Sequence, residues 1–386
     1  MRITFLLPPE SLSGGMRVVA TYARLLAGRG HEVIAVQPRH ARRSIRETWR
    51  SLKREGHWPA DPDRGPSHFD GIIVRPGAGT FRRIKLAYAG AIRAEDVPEG
   101  DVVIATWWET AEWLAEFAAS KGAKVYFIQH HEVHMWGQPA KRVNATWRLP
   151  MKKIVIAPWL AELARQFGDE DVAIVPNALD AGLFFAAERG KQAVPTVGFL
   201  YSRVGFKGSD LAIEAIKMAR REVPGLRVVC FGEEEPLPEV PLPEGAEFYL
   251  KPRQEEIREI YAACDAWLFA SRVEGFGLPI LEAMACRTPV IGTGAGAAPE
   301  LIGRGGGRLV GMGGAREMAE ALVEVLRMPE GEWREMSRVA HETATGYSWE
   351  EAVEKFEAAL ACQPLVRERP AGRHGQDAHA TGGGGF

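Results

Sequence analysis

Short, almost continuous apolar runs recur along the chain, and between many of them the apolar residues fall every three or four positions instead. Ile3–Leu7 is the first such run and Val33–Val36 the second. Between them lie a Gly14-Gly15 turn and a stretch from Met16 to Ala27 with Val18, Val19, Tyr22, Leu25 and Leu26 on one helical face. Gly28-Arg29-Gly30-His31 closes it. Runs that are apolar throughout suit strands buried on both faces, so this segment reads as a β–α–β unit. Further strands are predicted at Ile72–Val74, Val102–Ala105, Val125–Ile128, Ile154–Ala157 and Val172–Val175. The pattern then restarts with Val197–Tyr201, a helix from Ser209 to Arg221, and runs at Val228–Phe231, Phe248–Leu250, Ala266–Phe269 and Val290–Ile291. Helices are predicted near Arg316–Arg327, Glu332–Thr343 and Trp349–Ala361. Such alternation predicts doubly wound parallel sheets, an α/β fold.

Length makes this two units. A chain of 386 residues exceeds what one core usually serves. The restart near Pro176-Asn177-Ala178 predicts a first domain over 1–176 and a second over 177–348. Hydrophobic residues at 46% and charged residues at 25% exclude a mostly disordered or collagen-like chain. No apolar run reaches the roughly 18 residues that cross a bilayer, and the apolar part of the N-terminus is too short for a signal peptide. Cys230, Cys264, Cys286 and Cys362 show no CxxC spacing and lie in or beside apolar segments, as reduced thiols of a cytoplasmic protein do. The tail over 367–386 is mostly Gly, His and Ala, too polar to offset its ordering entropy, and is expected to be disordered.

The formal net charge is −2, unevenly spread. Residues 1–178 carry 25 Lys and Arg against 19 Asp and Glu, whereas the remainder carries 23 against 31. A basic first half suits an anionic partner or a membrane surface. Residues 39–54 concentrate that charge in Arg39, Arg42, Arg43, Arg46, Arg50, Lys53 and Arg54, interleaved with Ile45, Trp49 and Leu52. A basic amphipathic stretch of this kind is able to make peripheral contact with an anionic membrane, with a solvated helix or a mobile loop as the plainer alternative.

The chemistry concentrates in Ser271–Ala285, which follows the predicted strand Ala266–Phe269 and so sits where α/β sheets present ligands. Gly275 and Gly277 allow close backbone approach. Pro279 suits the first turn of a helix, whose free N–H groups favour a phosphate. Glu274 and Glu282 bracket this turn, and carboxylates suit the vicinal hydroxyls of a ribose or hexose.

The segment from Glu274 to Glu282, with Ala283-Met284-Ala285 and Thr288-Pro289-Val290-Ile291 behind it, resembles the E-x7-E signature of retaining glycosyltransferase family 4, the group 1 glycosyltransferases. Ser13-Gly14-Gly15 with Leu25 to Val33 resembles that family's N-terminal glycine loop and first helix. Val175 to Asp180 resembles its linker, and Tyr347-Ser348-Trp349 the start of its last helix. The resemblance implies the GT-B fold, two Rossmann-like domains facing across a cleft, with the helix over about 349–366 returning to the N-terminal domain. It implies a transferase that moves a hexosyl or deoxyhexosyl group from a nucleotide-diphosphate sugar to a glycan or glycolipid acceptor, with no metal or other cofactor and no nucleic-acid partner. Glu282 would hold the ribose and Glu274 the transferred sugar. Gly275, Phe276, Gly277 and Leu278 would contact sugar and phosphate, while Arg203 and Lys207 would grip the diphosphate. The family usually has four residues between that Arg and Lys, whereas here only Val204-Gly205-Phe206 intervene, so the loop must be re-shaped. Gly15 would let the first loop reach the phosphates, with Arg17 as a looser candidate. His130 would stand near the transferred sugar, and neighbouring His131 and His134 compete for that place.

Retention by double displacement needs a carboxylate nucleophile, and no acidic residue of the matched motifs supplies one. The family's front-face transfer, assisted by the departing diphosphate, is therefore expected. Trp107, Trp108, Trp113, Trp136 and Trp147 offer flat faces to an acceptor sugar or serve as core. Other classes fit less well. A GT-A enzyme needs a metal-binding Asp-x-Asp, but Asp61-Pro62-Asp63 and Asp169-Glu170-Asp171 sit in polar loops. A nicotinamide enzyme needs GxGxxG, which Gly14-Gly15 and Gly294-Ala295-Gly296 lack. A non-catalytic nucleotide-sugar or glycan binding protein on the same fold, and a GT-B epimerase, remain as alternatives.

Overall fold

The computed structural model describes residues 1–41, 44, 49, 52, 61, 63, 65–135 and 137–361. Two fully parallel sheets carry the chain. The first comprises β1 (Arg2–Leu6), β2 (Glu32–Arg39), β3 (Thr80–Ala89), β4 (Val102–Ala105), β5 (Ala123–Ile128), β6 (Lys152–Val155) and β7 (Val172–Ile174), in the order β3-β2-β1-β4-β5-β6-β7. The second comprises β8 (Thr196–Leu200), β9 (Arg227–Gly232), β10 (Glu247–Leu250), β11 (Ala266–Phe269), β12 (Val290–Thr293) and β13 (Gly307–Val310), in the order β10-β9-β8-β11-β12-β13. Both orders reverse beside the first strand, between β1 and β4 and between β8 and β11. Open α/β sheets bind ligands outside the carboxyl ends of strands at such reversals.

The central strands follow from their composition. All four residues of β4, β11 and β12 are buried, which accounts for their unbroken apolar or small-residue runs. Edge strands obey a different rule, and there the sequence reading needs correction. Ile72–Val74 is not a strand, and Ile73 is 85% exposed. The third strand is Thr80–Ala89, which pairs with β2 alone and turns Arg82 and Lys85 outward, so it never forms an apolar run. The edge strand β13 was likewise not anticipated. Gly14 and Gly15 do not form a turn. They open helix α1 (Gly14–Gly28), because the Ser13 hydroxyl caps it by accepting the Met16 N–H at 3.3 Å.

The last helix, Trp349–Ala361, returns to the first sheet. Its Phe356 stacks on Tyr22 with ring centres 4.4 Å apart and lies edge-on to Phe127 at 5.1 Å. Trp349 meets Tyr22 at 5.4 Å, and Glu357 accepts from Arg29 at 2.5 Å while lying 2.6 Å from His31. Where the chain crosses between domains, Leu179 N–H donates to the Tyr347 carbonyl at 2.8 Å.

Cys230, Cys264 and Cys286 are buried free thiols. Arg42, Arg43, Ile45, Arg46, Arg50, Lys53 and Arg54, and with them most of the predicted membrane-contact stretch, lie outside the described residues. So do Trp136, Cys362 and the tail over 367–386. Among the described residues no helix is long and apolar enough to cross a membrane.

Candidate active site

Three loops leave the carboxyl ends of β8, β11 and β12 and pack on one another. The loop after β8 makes a single 3-10 turn, Gly205–Lys207, before helix α2 (Ser209–Glu222). Gly208 joins the two at φ +74, and a Cβ there would fall 1.9 Å from the Ala270 carbonyl oxygen, so only glycine lets this loop lie against the end of β11. Arg272 fastens the contact. Its N–H donates to the Phe206 carbonyl at 2.7 Å, and its guanidinium donates to the Gly205 carbonyl and, through two bonds of 2.9 and 2.7 Å, to Asp210. That pairing holds the Asp210 carboxyl below the usual range.

The outcome is that Lys207 reaches Glu274. Its Nζ donates to both carboxylate oxygens, at 2.8 and 2.6 Å. The Glu274 side chain is 11% exposed, so the charge pair is largely withdrawn from water.

Beyond Glu274 the chain turns at Gly277, φ +100, into the helix Leu278–Ala285, with Pro279 in its first turn. Glu282, one turn further on, is buried. The Tyr261 hydroxyl donates to its Oε2 at 3.0 Å and Arg17 Nη2 to its Oε1 at 3.2 Å. Burial raises the Glu282 carboxyl, while Arg17 and Tyr261 pull the other way. The loop after β12 completes this side, with Ala297 N–H donating to the Phe276 carbonyl at 2.8 Å. Phe276 is buried, edge-on to Tyr347 at 6.2 Å.

The N-terminal domain supplies the facing wall. Gln129, just past β5, donates from its side chain to the Gly15 carbonyl at 3.0 Å. Trp159 donates its indole N–H to the Gly275 carbonyl at 2.9 Å. A Cβ on Gly275 would fall 2.1 Å from the Gln129 carbonyl oxygen, so the two domains touch backbone to backbone here. Gly275→Ala is expected to part this contact. It should lower the thermal midpoint, given the roughly 1–3 kcal/mol cost of overpacking. Thermal unfolding reads the effect.

His130 follows Gln129 and turns toward the same place, its Cδ2 3.4 Å from where a Gly275 Cβ would lie. Burial pushes its imidazole down to about 4; the Nδ1 bond to the His131 carbonyl at 2.9 Å opposes this, and Lys207 adds to it. The ring is therefore neutral at pH 7, with Nδ1–H donating and Nε2 left as an acceptor. His131 turns elsewhere, to Asn144 at 2.8 Å and into a T-shaped contact with Trp147.

Glu132 on the same loop is buried, and burial raises its carboxyl to about 8 against the opposing Tyr126 hydroxyl, which donates at 3.3 Å. The folded protein thus keeps a proton that the unfolded chain releases near the ordinary value of 4.5. That contribution to stability is full below pH 4.5 and lost as pH rises toward 8, at about 1.4 kcal/mol per pKa unit. Glu132→Gln is expected to flatten this part of the profile and to raise the thermal midpoint at pH 8, checked by melting from pH 5 to 8.

Of the predicted site residues, Gly15, His130, Lys207, Glu274, Gly275, Phe276, Gly277, Leu278 and Glu282 occur in the loops and helix that meet here. Arg203 does not join Lys207. It stands before the 3-10 turn and reaches the loop after β9, donating to the Glu235 carbonyl at 2.7 Å and to Glu234 at 3.4 Å. The three-residue spacing explains this, because one tight turn aims Lys207 at Glu274 and leaves Arg203 on its other side. The tryptophans divide as well. Trp147 and Trp108 are buried, Trp108 donating to Gln138 at 2.9 Å beneath Arg142, so neither offers an acceptor a free face. Sequence reading missed Trp159, Gln129 as a bridge, and Tyr261. It also missed that Arg17 reaches Glu282 across the cleft, with a further bond to Gln254 at 3.3 Å. No spacing in the chain announces these, since each joins segments far apart in sequence.

The architecture has known counterparts. Anabaena HepE in complex with UDP and glucose superposes with a TM-score of 0.68 over 94% of this chain and 99% of that one, at 17% identity. The chain has the GT-B fold, two Rossmann-like domains facing across a cleft. Residues 191–328, most of the second domain, match the family model described as glycosyl transferases group 1. The chain is 40% identical over 76 residues to N-acetyl-alpha-D-glucosaminyl L-malate synthase of Bacillus anthracis, covering 19% of this chain and 20% of that protein. It is 35% identical over 129 residues to D-inositol 3-phosphate glycosyltransferase of Corynebacterium urealyticum, covering 33% and 30%. The matches thus span less than a third of either relative's length.

Proposed function

We propose that the chain is a retaining glycosyltransferase that moves a hexosyl or deoxyhexosyl group from a nucleotide-diphosphate sugar to an acceptor hydroxyl, without a metal. The observation that carries this is the meeting of Lys207 with Glu274 at the β8/β11 reversal, opposite Gly15 and His130. The anomeric C–O bond to the diphosphate breaks and its electron pair leaves with the diphosphate, while the acceptor oxygen bonds to the same face of the anomeric carbon. The acceptor's proton passes to a departing phosphate oxygen. Lys207 and the N-terminus of the helix Leu278–Ala285 stabilise the charge that develops on the diphosphate. Glu274 takes hydroxyls of the transferred sugar, and Glu282 takes the ribose in place of Arg17. Neutral His130 presents an acceptor nitrogen rather than a charge beside the sugar. HepE, which is bound to UDP and glucose, supports the donor class, D-inositol 3-phosphate glycosyltransferase supports glycosyl transfer, and the acceptor is read as a carbohydrate or glycolipid.

The test is thermal stabilisation by UDP, GDP, dTDP and their sugar conjugates, followed by transfer assays with and without a chelator. A ligand at 100 times its dissociation constant stabilises by about 2.7 kcal/mol. One nucleotide should stand out, and transfer should survive chelation. Binding without turnover on any acceptor would leave a binding protein, and interconversion of the donor sugar without acceptor an epimerase.

A further inference from the structure

The second sheet ends on β10, which pairs with β9 alone. Lys251 N–H donates back to the Gly232 carbonyl at 2.8 Å, and Leu250 stands in register with Gly232. In a parallel ladder that bond fixes the directions of the others. Tyr249 turns its N–H and C=O toward β9, whereas Phe248 and Leu250 turn both of theirs to the open edge. Among the described residues no backbone group of a loop or helix bonds to these four outward groups.

The side chains along this edge are open as well. Phe248 packs on Tyr201 with ring centres 6.1 Å apart, and Leu250, on the same face of the sheet, is 45% exposed. Tyr249 on the opposite face is 40% exposed. Glu247 and Lys251 stand at the two ends with opposite charges. Glu247 is held in place by Arg227 through bonds of 2.6 and 2.7 Å. An uncovered edge of this kind is a template for a further strand.

We propose that β10 joins a second copy of this chain, strand antiparallel to strand, about a twofold axis at Tyr249. The segment Glu247-Phe248-Tyr249-Leu250-Lys251 is complementary to its own reverse. Phe248 of each copy faces Leu250 of the other, an apolar pair whose outward N–H and C=O groups bond both ways, so the two pairs make four hydrogen bonds. Tyr249 meets its counterpart on the axis, in the position between hydrogen-bonded pairs where side chains stand closest. Lys251 of each copy comes to the end where Glu247 of the other stands, and no like charges oppose. Sliding the strands by two residues either way leaves one hydrogen-bonded pair within the strand instead of two, so the register is set. The sheet's other open edge, β13, reads Gly307-Arg308-Leu309-Val310, and its one charge has no opposite to meet in a second β13. Pairing of β10 with itself is isologous and closes at a dimer, joining two six-stranded sheets into one. Because the edge is short, the dimer is expected to exchange, with a dissociation constant in the micromolar range. The inference stands apart from the transferase reading.

Sedimentation of the full chain from micromolar to submillimolar concentration, with cross-linking, tests it. The wild type should pass reversibly from monomer to dimer and no further. Tyr249→Cys should form a disulfide-linked dimer under mild oxidation, since residues facing each other without hydrogen bonds have Cα atoms about 4.5 Å apart, within reach of a disulfide. The wild type and Arg24→Cys, an exposed site in the other domain, should not. Leu250→Pro removes an outward N–H and leaves the ladder with β9 intact. It should keep the monomer's thermal midpoint and raise the dissociation constant at least about tenfold, because each dimer loses two bonds. A wild type that stays monomeric throughout, or a dimer that Tyr249→Cys does not link and Leu250→Pro does not weaken, overturns the proposal. Species that keep growing with concentration would mean that β10 pairs with β13, and would overturn it too.

Discussion

Replacing Lys207 by alanine is expected to lower kcat by about 10²–10³-fold, with a much smaller change in donor affinity. The magnitude is that of removing one preorganised group aimed at charge that develops in the transition state, about 2.7–4 kcal/mol. The ammonium of Lys207 is held 2.6 Å from Glu274, on a loop that Arg272 fastens, so it is preorganised. Its loss also strands the largely buried Glu274 carboxylate. For that reason the double variant Lys207→Ala/Glu274→Ala should be no slower than the worse single variant, because the two groups act as a unit. Single-turnover rates at saturating donor measure this directly. Additive losses would mean that the two groups act independently, and a change confined to KM would place Lys207 outside the transfer step.

The second large effect is on binding. Glu282→Ala should weaken nucleotide binding by roughly ten- to a hundredfold, the range set by hydrogen bonds to a charged partner at about 1.5–3 kcal/mol. It should also cost stability, because the buried Tyr261 hydroxyl loses its acceptor. Glu282→Gln separates the two effects: the amide oxygen still accepts from Tyr261 or Arg17, so the fold keeps most of its stability while the charge is gone. Titration calorimetry with the preferred nucleotide, beside thermal melts of both variants, distinguishes a ribose site from a structural carboxylate. Equal affinity in Gln, Ala and wild type would mean that the ribose lies elsewhere.

How much was legible in the chain follows from where its residues sit. β4, β11 and β12 are buried throughout, so burial wrote itself into unbroken apolar runs. β3 and β13 each have one neighbour and a wet side, and Phe81-Arg82-Arg83-Ile84-Lys85 looks more like a loop than a strand. The donor-side groups were readable because Glu274, Gly277 and Glu282 share one strand–turn–helix unit. The bonds of Arg17 to Glu282 and of Trp159 to Gly275 depend on how one domain meets the other, which no local pattern encodes. Arg203 shows the limit of motif transfer: a loop one residue shorter aims the neighbouring side chain the other way.

The return of Trp349–Ala361 to the first domain bears on how the protein is made. Tyr22, Phe127 and Phe5 bury their rings against Phe356, which lies well after the last strand of their own sheet. During synthesis the first sheet emerges from the ribosome with that aromatic seat unfilled, and the whole second domain must be translated before the helix that fills it appears. A nascent chain paused near residue 340 should therefore expose the seat to proteases and chaperones, and release of the final helix should close it.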